Sequence, residues 1–196
     1  MSAHLNLLIE HYGNAAVFLL MTLESACIPI PSEAVVPYAG YLAYLGEMSF
    51  WEIVVISTLA NLFGGTIAYV VGRFGGRALI LHYGKYILLS QKHLVRAENW
   101  FEKRGEVTIL IGRIFPAIRT VISLPAGIAK MQFGKFLVFS AIGSLIWNFA
   151  LAYLGLQLAS HWDTISETMK PFTYVGALIL LFAVLWFWFG RKKRLS

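Results

Sequence analysis

Residues 15–46 read AAVFLLMTLESACIPIPSEAVVPYAGYLAYLG, apolar almost throughout but broken in the middle by Pro29 and Pro31. A proline inside a helix removes a backbone donor and clashes with the preceding turn, so neither half continues smoothly through the break. Each half runs about 14 residues, short of the ~20 that a spanning helix needs. The pattern predicts two half-length helices folded back on each other, a re-entrant hairpin. Irregular backbone of this kind survives at membrane depth only where protein or a cavity covers it.

Residues 106–130, EVTILIGRIFPAIRTVISLPAGIAK, repeat the theme, with Pro116 and Pro125 as the interruptions. This is the second candidate hairpin. The segments 52–72, 136–158 and 172–190 are long enough to span outright, and Trp186 and Trp188 near the end of the last suit an aromatic belt. Composition agrees with the bilayer as solvent. The chain is 58% hydrophobic and 13% charged, against roughly 25% charged in soluble domains. The predicted fold is an all-α polytopic membrane protein with two opposed re-entrant helix hairpins in an inverted repeat. About three full transmembrane helices and cytoplasmic amphipathic helices complete it. Residues 1–13 form an N-terminal amphipathic segment, 14–160 the core and 172–196 a C-terminal transmembrane helix with a basic tail. Within the core the order is hairpin 14–46, span 52–72, amphipathic stretch 73–105, hairpin 106–130 and span 136–158. Ser90 reads as an N-cap in the amphipathic stretch, and Gly105 as its end.

The net charge is +6, but its placement argues against a nucleic-acid partner. Residues 1–72 contain no Lys or Arg. Arg73, Arg77, Lys85, Lys92, Arg96, Lys103 and Arg104 fall in 73–105, and Arg191, Lys192, Lys193 and Arg194 close the chain. These are flanks of apolar segments, where positive charge sets orientation toward the cytoplasm. With the C-terminus inside, the links alternate so that 159–171 lies outside and 130–135 inside. Residues 73–105 then lie inside and 46–51 outside. The first hairpin enters from outside, the second from inside, and the N-terminus lies outside. A weak internal echo fits. Ala39-Gly40, Met48-Ser49-Phe50, Tyr69 and Gly72 in one half answer Ala126-Gly127, Met131-Gln132-Phe133, Tyr153 and Gly155 in the other. Opposed repeats around a midplane site are a transporter architecture.

Four charges lie inside these apolar hairpins: Glu24 and Glu33 on the first, Arg113 and Arg119 on the second. An ionised side chain at a helix centre costs roughly 2.5–3.5 kcal/mol on an insertion scale. Four unpaired charges would therefore cost on the order of 10 kcal/mol, comparable to a protein's whole stability. They must pair, face water or, for the glutamates, be protonated. One reading is an ion pair that only locks the hairpins together, and another is snorkelling of Arg113 to a helix end. The third is a substrate or proton site: the guanidinium fork suits phosphate or carboxylate and stays charged, and a carboxylate can carry a proton. Asn61 and Asn148 are expected to bond between helices, and Gly64-Gly65 to mark close helix packing. The five histidines show no ligand spacing, so no metal or other cofactor is expected. Cys27 is the single cysteine, which rules out an intrachain disulfide. The oligomeric state stays open, a homo-oligomer included.

The run Glu24 with Pro29-Ile30-Pro31-Ser32-Glu33, and the run Gly112-Arg113-Ile114-Phe115-Pro116-Ala117-Ile118-Arg119-Thr120 followed by Leu124-Pro125-Ala126-Gly127, resemble the DedA family, whose core is also called the VTT domain. The resemblance covers about residues 14–160. It implies functional acids on the first hairpin, here Glu24 and Glu33, and functional arginines on the second, here Arg113 and Arg119. In several members the second acid is an Asp a few residues further on. Members are linked to the proton-motive force, envelope integrity and movement of lipids between leaflets. The short form is similar to a bacterial branch that recycles undecaprenyl phosphate, the lipid carrier of cell-wall synthesis. The implied activity is a proton-coupled lipid flippase in the cytoplasmic membrane, working on a lipid phosphate among membrane lipids. Arg113 and Arg119 would bind substrate, and Glu24 and Glu33 would carry protons or form ion pairs. A transporter or scramblase of another lipid or ion, a lipid phosphatase and a purely structural assembly protein are the competing readings. Hydrolysis would need a nucleophile with a base or metal; Thr120 and Ser123 have no His or acid in their segment.

Overall fold

The computed structural model describes residues 7–9, 11–28, 30–76 and 91–161. Met1–Gln157 forms one compact unit and Leu158–Ser196 a second. In the first unit the described elements are all helical. They are α1 (Asn14–Ser25), α2 (Ser32–Tyr44), α3 (Phe50–Val71, continued by a π turn Gly72–Gly76), α4 (Gln91–Ile114), α5 (Pro116–Arg119), α6 (Ser123–Ile128) and α7 (Phe133–Gln157). A 3₁₀ turn, Ala159–His161, is described in the second unit. Residues 1–6 and 10 of the expected N-terminal amphipathic segment, residues 77–90 of the 73–105 stretch with Ser90, and the C-terminal helix with its basic tail lie outside the described residues.

The two expected breaks are present. Helix α1 ends in a paired hydrogen-bond motif, with Ile28 N donating to Leu23 O and Cys27 N to Glu24 O, each at 3.1 Å. Cys27 takes the left-handed backbone this motif requires, φ 70°. Pro31 then caps α2 in an extended conformation. In the second break Phe115 is extended, as a residue before proline tends to be, and Pro116 opens α5 at the position where its missing N–H costs nothing. The boundary expected at Gly105 is present as a kink: Arg104 leaves the helical conformation (φ −136°, ψ 17°), so that α4 consists of two helices joined there, the second running on to Ile114.

Helices α3 and α7 are long and apolar enough to cross a membrane. Their faces are sorted for a bilayer. Val55, Leu59, Phe63 and Ile67 of α3, and Val138, Ile142, Ile146 and Phe149 of α7, are exposed. Ser57, Thr58 and Asn61 of α3, and Ser140, Ser144 and Asn148 of α7, are buried. Polar groups turned inward and apolar ones outward suit a lipid surround, where backbone and side-chain polar groups must be satisfied by protein.

The internal echo has a packing counterpart. Helix α1 packs on α3 and α4 on α7; α2 crosses to α7, and α6 crosses to α3. A Cβ on Gly40 would overlap the Ala152 carbonyl, and one on Gly127 the Tyr69 carbonyl. Conversely, a Cβ on Gly155 would overlap the Pro37 carbonyl, and one on Gly72 the Leu124 carbonyl. Ala152 precedes Gly155 by the spacing at which Tyr69 precedes Gly72, and Pro37 precedes Gly40 as Leu124 precedes Gly127. Each half therefore lays its second short helix on the other half's long helix through the same pair of backbone-to-backbone contacts.

Candidate functional site

Glu24 is on the last turn of α1, one turn before the break, and Arg119 is at the end of α5, just after the other break. The fold brings these two tips together. Arg119 Nη2 lies 3.0 Å from Glu24 Oε2, with both side chains 2% exposed. The Cys27 thiol at the first tip donates to the Thr120 carbonyl at the second, 3.4 Å away. Arg113, on the last turn of α4, is also buried. Its Nη2 donates to Ser123 Oγ at 2.8 Å, and its Nη1 approaches the Arg119 carbonyl at 3.5 Å. Gly65 on α3 makes room for it, since a Cβ there would overlap Arg113 Nη2. Gly64 is closed by the Thr22 carbonyl in the same way, so the glycine pair serves close packing as expected.

A polar chain runs from the ion pair along the seam between α3 and α7. The Asn61 amide is satisfied when its oxygen accepts from Arg119 Nη2 at 3.2 Å and Asn148 Nδ2 at 3.1 Å, while its nitrogen donates to Ser25 Oγ at 2.9 Å. Asn148 Nδ2 also reaches Thr58 Oγ1 at 3.3 Å. Asn61 and Asn148 thus bond between helices, and Asn61 touches the site as well.

Glu33 stands apart. It occupies the first turn of α2, where a carboxylate complements the helix dipole. Its side chain is exposed and forms no ion pair among the described residues. Of the four charges named from the sequence, three gather at the tips and the fourth does not. Arg113 has no carboxylate partner among the described residues, so the centre holds two guanidinium groups and one carboxylate.

Trp147 was not singled out from the sequence. The Arg119 guanidinium lies over its indole ring, 5.7 Å from the centroid. Its signal was position: a tryptophan in the middle of a span sits away from the interfaces where the aromatic belt belongs. Arg113 Nε, Arg119 Nη1 and Trp147 Nε1 are all buried without a hydrogen-bond partner. No group of His, Cys, Asp and Glu suited to a metal occurs among the described residues.

The VTT domain matches residues 28–157 of this chain. Undecaprenyl phosphate transporter A of Bacillus subtilis (strain 168) is 37% identical over 190 residues, covering 95% of this chain and 91% of that one. The protein of the same name from Staphylococcus aureus (strain NCTC 8325 / PS 47) is 31% identical over 195 residues, 96% of each. An alkaline phosphatase-like protein of Lactococcus lactis subsp. cremoris (strain MG1363) is 33% identical over 177 residues, 88% of this chain and 83% of that one. No solved structure matches. With the domain matched over about two thirds of its length and relatives matched over nearly all of it, the chain belongs to the VTT-domain, or DedA, family.

Proposed function

We propose that this protein is a flippase that carries undecaprenyl phosphate across the bacterial cytoplasmic membrane for reuse of the cell-wall lipid carrier. The observation that carries the reading is the buried Glu24–Arg119 pair, set beside a second buried arginine that has no carboxylate partner among the described residues. An excess of guanidinium over carboxylate in an apolar surround suits an anionic headgroup. The names of the two transporter relatives support the same substrate.

In this reading α1–α2 and α4–α6 are re-entrant hairpins that enter from opposite faces and meet near the midplane, with the C-terminus in the cytoplasm. In the empty state Glu24 neutralises Arg119. An arriving phosphate displaces the carboxylate, which takes up a proton, and the two guanidinium groups hold the headgroup. The polyprenyl tail stays in lipid beside the groove. Inward movement of an anion works against an inside-negative potential, at about 2.3 kcal/mol per charge for 100 mV. A proton carried on the buried Glu24, with the exposed Glu33 as a second carboxylate, offsets that cost.

The test is leaflet-resolved transport in proteoliposomes under an imposed pH gradient, comparing undecaprenyl phosphate with phosphatidylethanolamine. The expected result is transport of the first, acceleration by the gradient, and loss in Arg119→Ala. Equal transport of both lipids would favour a scramblase, and wild-type rates in Arg119→Ala would overturn the binding role.

A phosphatase is the second reading, favoured by the Lactococcus relative's name and by Ser123 Oγ beside Arg113. Against it, no His, Asp or Glu is hydrogen-bonded to Ser123 among the described residues, so a serine nucleophile there has no base at hand. Phosphate release from the lipid by purified protein would decide for it.

A further inference from the structure

The site contains three buried N–H groups with no acceptor: Arg113 Nε, Arg119 Nη1 and Trp147 Nε1. They belong to residues in one chain of contacts. Arg113 reaches the Arg119 carbonyl, and Arg119 lies over the Trp147 ring. Native structures rarely leave a buried donor unpaired, because each forfeits its bond to water without replacement. Three on adjoining residues, all donors, call for a ligand rich in acceptors and free of competing donors. Phosphate oxygens have that character, and hydrogen bonds to a charged acceptor are the stronger kind.

We propose that Trp147 is a substrate-binding residue, whose indole N–H donates to a non-bridging oxygen of the phosphate held by Arg119. The inference rests on the lipid-phosphate reading above and adds a residue on α7 to the arginines of α4 and α5. It gives the headgroup one contact outside the second break, on a long helix. The ring also limits where the Arg119 guanidinium can go when Glu24 releases it. The ring face and the N–H thus perform separable tasks, one for the arginine and one for the ligand.

The separating variant is Trp147→Phe, which keeps an aromatic face beneath Arg119 and deletes only the donor. The full chain in nanodiscs is titrated with farnesyl phosphate, and transport of undecaprenyl phosphate is measured in proteoliposomes. Binding in Trp147→Phe should weaken about ten- to hundredfold, with KM rising more than kcat falls. The indole N–H resonance of Trp147 in ¹⁵N-tryptophan protein should move on addition of farnesyl phosphate. If Trp147→Phe melts below the assay temperature, benzothienylalanine at 147 replaces the N–H by sulfur at nearly constant shape. Wild-type affinity in that variant overturns the proposal. Binding that is absent from wild type, or present there and unaffected by Arg119→Ala, removes the lipid-phosphate reading itself. Binding lost in Arg119→Ala but unchanged in Trp147→Phe removes only the role of the indole.

Discussion

Arg119 Nη2 and Glu24 Oε2 lie 3.0 Å apart with both side chains 2% exposed, and they belong to opposite helix breaks. Removing one partner of a buried ion pair strands the other, at about 3–5 kcal/mol. Arg119→Ala should therefore lower the unfolding temperature as well as abolish transport. The neutral double variant Glu24→Gln/Arg119→Gln strands no charge and should regain most of the stability. If the pair were only a lock, that variant would also regain transport. The expected result is recovered stability without transport, read by thermal unfolding and leaflet-resolved assay on one preparation.

Gly65→Ala tests the placement of Arg113 without touching a charge. The added Cβ overlaps Arg113 Nη2 and lies 3.1 Å from Ser123 Oγ. Because the obstructed atoms are the end of a flexible side chain, the fold should yield with little loss of stability. The guanidinium, however, must leave Ser123. Misplacing a binding group by about 1 Å can cost on the order of a hundredfold in rate. Transport should fall by at least about tenfold at near-constant unfolding temperature, a split that a general packing defect would not produce.

The breaks were legible in the sequence because proline and segment length act locally. Pro31 and Pro116 stand where the helices restart, and both long spans fall within three residues of their expected bounds. Which residues meet was not legible. Glu24 and Arg119 are far apart in the chain, and hydropathy does not say which face of a short apolar helix turns inward. The two acids looked alike for that reason, yet Glu24 is on the buried face of α1 while Glu33 is exposed on α2. The helix break next to Gly105 was legible, again because glycine acts locally. Trp147 was not legible, because its contact with Arg119 joins α7 to α5 and no local pattern encodes that pairing.

The exchanged glycine contacts predict paired mutational effects. Gly155→Ala pushes a methyl into the Pro37 carbonyl, and Gly72→Ala pushes one into the Leu124 carbonyl. Backbone cannot give way as a side-chain end can, and overpacking costs typically about 1–3 kcal/mol. The two variants should lose similar stability, because they occupy corresponding positions in the two halves. Gly134→Ala is the control: nothing lies within 4 Å of a Cβ there, and alanine favours the helix by about 1 kcal/mol. Thermal unfolding of the three proteins should order Gly134→Ala at or above wild type and the other two together below it.

Cys27 holds φ 70° at the tip of the first break, where a side chain costs roughly 1–2 kcal/mol that glycine avoids. What the thiol returns is one weak bond to the Thr120 carbonyl at 3.4 Å. The balance favours glycine, so Cys27→Gly should raise the unfolding temperature. Cys27→Val should lower it, since a β-branched side chain tolerates positive φ least. The thiol is exposed and is the only one in the chain, so alkylation of unmutated protein reports on the tip directly. Its contact with Thr120 lies next to Arg119 in sequence. A headgroup that draws Arg119 away from Glu24 should therefore change the rate of maleimide labelling at Cys27. Labelling followed by mass spectrometry, with and without farnesyl phosphate, checks this. An unchanged rate at saturating ligand would mean that the two tips do not move with the arginine.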